Sequence, residues 1–225
     1  MLGIYSIQKF SSLDFPNRLS AIVWFSGCNM RCPYCYNTDV VFGKKQIEEK
    51  EVIEFLKTRI GLLDGVSITG GEPTLYKNLI NFCKKIKQLG FEIKLDTNGL
   101  NFSVIKKLLE LNLVDYIALD FKSPKEKFYN ITKNKNYEEF EKTLELLINS
   151  DIEFEVRTTI HTDLLDENDI NIIVDTLYKK GYKNTYYLQN FFDTQKETIG
   201  NIKPQKRKLD ITKINKIIPI EFRNF

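Results

Sequence analysis

The chain has 225 residues, 42% of them hydrophobic, which is enough for one domain with a full core. Its 33 basic residues nearly balance 30 acidic ones, and a formal net charge of +3 excludes an extended cationic surface, so nucleic acid is not an expected partner. Residues 1–9 hold no unbroken apolar stretch of the signal-peptide kind, and no later run approaches the ~20 apolar residues that span a bilayer. A cytoplasmic protein without membrane attachment is expected. Only four cysteines occur, three of them within eight positions, a spacing that suits a metal centre better than a disulfide framework.

In chain order, residues 1–17 read as an extension that precedes the first strand. Strands are predicted at Ser20–Ser26, Val66–Thr69, Phe91–Asp96, Tyr116–Asp120, Ile152–Thr158 and Thr185–Asn190. Amphipathic helical periods separate them at Gln46–Ile60, Leu75–Leu89, Phe102–Leu111, Tyr137–Asn149 and Asp166–Lys180. The strands read as mostly apolar on both faces, as parallel strands under covering helices do. Strand–helix alternation gives an open doubly wound sheet or a barrel. A full eight-unit barrel needs about 250 residues, so a partial (β/α)6 TIM-like barrel is expected, as one domain over residues 1–225. Residues 203–225 read as a basic tail, solvated or capping the barrel.

The segment Ser26-Gly27-Cys28-Asn29-Met30-Arg31-Cys32-Pro33-Tyr34-Cys35-Tyr36-Asn37 follows the first strand with spacing C-x3-C-x2-C. Three thiolates without an adjacent fourth leave one coordination position open, whereas structural zinc and electron-transfer [4Fe–4S] centres normally have four protein ligands. The spare thiol, Cys83, falls on the apolar face of a predicted helix with Leu79, Phe82 and Ile86 and reads as core. A zinc site completed by Cys83 or by the single histidine, His161, is the alternative. Thr69-Gly70-Gly71-Glu72-Pro73 follows the second strand and by itself is a tight turn. Asp96-Thr97-Asn98-Gly99 ends the third strand, and Asp120-Phe121-Lys122-Ser123-Pro124 ends the fourth, on the face where barrel enzymes place their sites. Arg157 is an internal charge of the fifth strand that needs a carboxylate partner if it points inward. His161 reads as a polar loop residue.

C-x3-C-x2-C with an aromatic, Tyr34, before the last cysteine resembles the signature of the radical S-adenosylmethionine enzymes. That resemblance implies a [4Fe–4S] cluster on Cys28, Cys32 and Cys35, with S-adenosylmethionine on the fourth iron. It implies cofactor contacts from Tyr34, Cys35, Tyr36 and Asn37 and from Gly70, Gly71 and Glu72. The segments at Asp96 and Asp120 resemble those of the glycyl-radical-enzyme activating enzymes. By that likeness Asp96, Thr97 and Asp120 would hold a monovalent or divalent cation, and Lys122 would contact the methionine carboxylate and count among the catalytic residues. The partner of Arg157 would be that carboxylate or a strand Asp or Glu. Asn190, with Gln189, would face the adenosine ribose.

Ser12-Leu13-Asp14-Phe15-Pro16, Ala21-Ile22-Val23-Trp24-Phe25, Thr158-Thr159-Ile160-His161 and Leu188-Gln189-Asn190-Phe191 resemble the short anaerobic ribonucleoside-triphosphate reductase activating proteins. Two positions depart from that pattern, Asn17 in place of Gly and Tyr36 in place of His, and leave the protein substrate open. The resemblance implies an oxidoreductase that reductively cleaves S-adenosylmethionine to a 5′-deoxyadenosyl radical and generates a glycyl radical on a partner enzyme. Flavodoxin or ferredoxin would supply the electron. The alternatives are a small-molecule enzyme of the same superfamily, such as 7-carboxy-7-deazaguanine synthase, and a non-enzymatic zinc-binding module.

Overall fold

In the computed structural model, which describes residues 2–225, one eight-stranded sheet organises the chain. Its strands lie in sequence order: β1 (Ile4–Phe15), β2 (Arg18–Phe25), β3 (Gly65–Gly70), β4 (Glu92–Thr97), β5 (Tyr116–Asp120), β6 (Glu153–Ile160), β7 (Tyr186–Asn190) and β8 (Ile220–Arg223). β1 and β2 form an antiparallel hairpin, and every later pairing is parallel. Helices α1 (Thr38–Phe42) and α2 (Glu49–Lys57) link β2 to β3, α3 (Leu79–Gln88) links β3 to β4, and α4 (Phe102–Glu110) links β4 to β5. Helices α5 (Lys125–Thr132) and α6 (Tyr137–Ile148) follow β5, and α7 (Glu167–Lys179) follows β6. β1 and β8 remain the two edges, so the architecture is a partial barrel with helices outside.

Local chemistry explains the helix ends. The Asp166 carboxylate accepts the Asp169 N–H at 3.0 Å while the Asp169 carboxylate accepts the Asp166 N–H at 2.8 Å, a reciprocal cap that starts α7. Alternate strand residues such as Val66, Ile68, Ile93, Leu95, Ile117 and Leu119 are fully buried in the hydrophobic core.

Three features differ from the sequence reading. The other strand face is not apolar: Ser67, Lys94 and Glu155 are buried in it, and period two aligns them with Thr69, Asp96 and Arg157 on the same strands. The segment read as an extension is mostly strand β1; Met1 lies outside the described residues. The segment read as a tail ends in β8, paired with β7 through Tyr186↔Ile220 and Leu188↔Phe222. His161 lies just past the end of β6, in a loop as expected, but not on the surface. It is fully buried, its Nε2 lies 2.9 Å from the Lys203 carbonyl and its Nδ1 accepts the Asp163 N–H at 3.3 Å, so it anchors the long crossover from β7 to β8.

Asn17 has a structural reason. It sits in the β1–β2 turn at φ 57°, in the left-handed region that Gly and Asn enter most readily. Asn17→Gly should therefore leave the urea midpoint nearly unchanged, whereas Asn17→Val should lose about 1–2 kcal/mol. Equal losses from both substitutions would show that the Asn side chain, not the backbone, matters.

Candidate active site

The carboxyl ends of the parallel strands surround a cavity of about 330 Å³, sized for one small molecule. Every site residue named from the sequence lines it: Cys28, Cys32, Tyr34, Cys35, Tyr36, Asn37, Gly70, Gly71, Glu72, Asp96, Thr97, Asp120, Lys122, Arg157 and Asn190. Trp24, Asn98, Thr159, Phe192 and Asn224 line it too, although no role was expected of them. For Trp24 and Thr159 the signal was present. Thr159 lies two residues beyond Arg157 on one strand, and thus on the same face.

The cysteine loop is held from several sides. One Arg31 guanidinium nitrogen donates to the carbonyls of Cys28 and Met30, both at 2.7 Å, and the plane lies over the Phe42 ring. Asn98 donates to the Asn29 side-chain oxygen at 2.7 Å, and Asn134 donates to the Asn29 carbonyl at 3.0 Å. From the crossover, the Ile199 and Gly200 N–H groups donate to the Cys35 and Pro33 carbonyls, each at 2.9 Å. Gly70 and Gly71 bring the β3 end against this loop. Gly70 has φ 131°, and a Cβ on Gly71 would lie 2.0 Å from the Gly27 carbonyl oxygen.

Glu72 is buried and ties three strand ends together. Its carboxylate accepts the Thr74 N–H at 3.1 Å, the Thr74 hydroxyl at 2.6 Å, the Thr97 hydroxyl at 2.8 Å and the Asn98 N–H at 2.8 Å. Its own N–H donates to the Gly27 carbonyl at 2.8 Å. Burial raises its carboxyl pKa, and the four donors only partly offset that.

Below it lies a charged floor. Arg157 Nε donates to Asp120 at 2.6 Å, and its Nη2 is 3.3 Å from Asp96. Lys122 reaches the other Asp120 oxygen at 3.0 Å, and Lys94 pairs with Asp96. Burial alone would raise the Asp120 carboxyl, but Arg157 and Lys122 outweigh it and hold it down at about 2. Asn190 accepts from the Gln205 amide at 3.0 Å. Arg157 thus has strand carboxylates, Asp120 and Asp96, as partners.

Fold and cavity together define a barrel enzyme with a three-thiolate loop at the carboxyl end of its parallel strands. The chain belongs to the Radical SAM superfamily, whose family description matches residues 22–187. It is 34% identical over 184 residues to MJ1227 of Methanocaldococcus jannaschii, a protein named as a glycyl-radical enzyme activating enzyme, covering 77% of this chain and 75% of that one. It is 28% identical over 180 residues to the pyruvate formate-lyase 1-activating enzyme of Escherichia coli strain K12, covering 74% of this chain and 70% of the relative. Among solved structures, Streptococcus suis SuiB bound to S-adenosylmethionine superposes with a TM-score of 0.69 at 14% identity, covering 88% of this chain and 48% of SuiB. Native anSMEcpe with bound AdoMet gives 0.61 at 24%, covering 75% and 50%. These two show the fold, and the chain spans about half the length of each.

The family implies one [4Fe–4S] cluster and S-adenosylmethionine, and the donor set fits the cluster. All three thiols line one cavity. Burial pushes Cys28 up to about 12 and raises Cys32, so thiolates here need a strong positive charge, which iron supplies. The Tyr34 hydroxyl is buried beside them without an oxygen or nitrogen partner. Cys83 is packed inside α3 and His161 holds the crossover, so neither completes a zinc site with the loop. The reading as a non-enzymatic zinc module is therefore set aside. Nor does a metal cation fit Asp96, Thr97 and Asp120: both carboxylates already carry side-chain cations, and the Thr97 hydroxyl is spent on Glu72.

Proposed function

We propose that the protein is a cytoplasmic activating enzyme that makes a glycyl radical on a partner enzyme, anaerobic ribonucleotide reductase or another of that type. In the balanced reaction one electron, S-adenosylmethionine and a glycine Cα–H give methionine, 5′-deoxyadenosine and the glycine-centred radical. Flavodoxin or ferredoxin would bring the electron. When bound on Cys28, Cys32 and Cys35, the cluster supplies that electron at the low potential that cleaving a sulfonium requires.

The residues of the chain bind and orient. Glu72, Gly70 and Gly71 set the β3 end against the cysteine loop, where the methionine ammonium would meet carbonyls and a carboxylate. Lys122 and Arg157 present positive charge for the methionine carboxylate, and Tyr34, Tyr36, Asn37 and Asn190 would take the adenosine. Tyr36 and Phe192 are exposed at the cavity rim, an apolar entrance that suits a peptide loop. Free thiols suit the reducing cytoplasm, and no described helix is long and apolar enough to cross a membrane.

The observation that carries this reading is the likeness to MJ1227 across three quarters of both chains, together with a single cavity that holds all the marked residues. The test is electron paramagnetic resonance on the reduced, cluster-loaded protein with S-adenosylmethionine and a candidate partner. A persistent glycyl-radical doublet should form, with 5′-deoxyadenosine released in near-equal amount, and a Gly→Ala change at the radical site of the partner should erase it. Many turnovers driven by a small metabolite, with no doublet from any glycyl-radical partner, would instead establish the small-molecule reading.

A further inference from the structure

We infer that Arg157 is a built-in replacement for a metal cation, so that the charged floor of the cavity binds its ligand without any alkali or alkaline-earth ion. The inference rests on the proposed binding of S-adenosylmethionine with its methionine end on this floor. Its basis is the charge count around two carboxylates. Asp96 and Asp120 contribute two negative charges, and Lys94, Lys122 and Arg157, each within 4 Å of one or both, contribute three positive ones. The guanidinium spans the pair, one nitrogen toward each carboxylate, which is the bridging role that a bound cation would have.

Further charged groups border the floor. Glu155 lies 3.9 Å from Arg157 and 3.2 Å from Arg223, so it brings one further anion and one further cation. Glu72, which accepts the Thr97 hydroxyl, adds another carboxylate at the margin, so side-chain cations match the carboxylates without any metal ion. A floor already balanced leaves no net negative charge for an added cation to neutralise, while Lys122 and Arg157 remain to meet a carboxylate, and the effect is strong because Arg157 and both aspartates are largely shielded from water. Thr97, the third ligand a cation would need, turns its hydroxyl to Glu72 instead.

The experiment compares choline, sodium, potassium and magnesium chlorides at one ionic strength, using the cluster-loaded protein. Calorimetric affinity for S-adenosylmethionine should agree within about twofold across the four salts, and the melting midpoint without ligand should agree within about 2 °C. A gain of about tenfold or more in affinity in any metal salt over choline, or a midpoint raised several degrees by one metal, overturns the inference. Arg157→Met opens the space between the aspartates, so its midpoint should fall in choline and recover partly in sodium or potassium, while Arg157→Lys should stay indifferent to the salt. If S-adenosylmethionine binds in none of the salts, the proposed ligand is wrong, and the salt dependence of the ligand-free midpoint still decides the role of Arg157.

Discussion

Cys28→Ala, Cys32→Ala and Cys35→Ala are each expected to abolish cluster assembly, whereas Cys83→Ala should assemble it normally. Anaerobic reconstitution should bring the unaltered protein and Cys83→Ala to about four irons per chain, with the broad visible absorbance of a cluster. The physical difference lies in where the thiols sit. Cys28, Cys32 and Cys35 border the cavity on one loop, and Cys28 accepts the Met30 N–H at 3.4 Å, a contact of the kind that supports a thiolate. Cys83 is sealed in the inner face of α3 beside Leu79, Phe82 and Ile86, where burial raises its pKa to about 12 and a backbone N–H offsets that only in part. Its loss should cost only about 1 kcal/mol, the deletion of one small buried atom group. Iron loss from Cys83→Ala equal to that from the loop variants would mean a four-thiolate centre and would sink the open-site reading.

What was legible in the sequence was local. β5 has the bounds expected, Tyr116–Asp120, because a short apolar run between two helical periods leaves little choice. The cysteine loop and the Gly70-Gly71-Glu72 turn were legible for the same reason: their spacing is their signal. β1 was not, since much of Ile4–Phe15 is exposed and its pairing with β2 is shifted at three points, which blurs the alternation that marks a strand. β8 is four residues long and follows a crossover without helical period. The polar interior face was missed because Ser67, Lys94 and Glu155 are interspersed with large aliphatics that dominate a short window. Residues whose roles rest on distant partners were hidden altogether. Nothing near His161 signals Lys203, and nothing near Glu72 signals Thr97 or Asn98, because only the register of parallel strands brings them together.

That long-range role makes Glu72 the most informative single substitution outside the cluster ligands. Glu72→Ala should keep its iron, since no cluster thiol is changed, yet lose S-adenosylmethionine affinity by roughly 10- to 150-fold, the worth of one charge-assisted contact of about 1.5–3 kcal/mol. Stability should fall as well. The Thr74 and Asn98 N–H groups lose a carboxylate acceptor in a buried site, at about 1–3 kcal/mol for each left unsatisfied. Glu72→Gln separates the two effects. Its amide oxygen can still accept from Thr74 and Thr97, but its NH2 group meets the Asn98 N–H donor, so one tie is lost along with the charge. If the carboxylate serves chiefly as a staple, the Gln variant should recover much of the urea midpoint and of the affinity; if its charge faces the ligand ammonium, affinity should stay low while the midpoint recovers. Lys122→Ala acts on the carboxylate beside that ammonium and should weaken binding to a similar degree, again with iron retained, because it removes the cation paired with Asp120 in the cavity wall. Calorimetric affinities unchanged in both Glu72→Ala and Lys122→Ala would place the ligand on other loops and refute the assignment of this cavity.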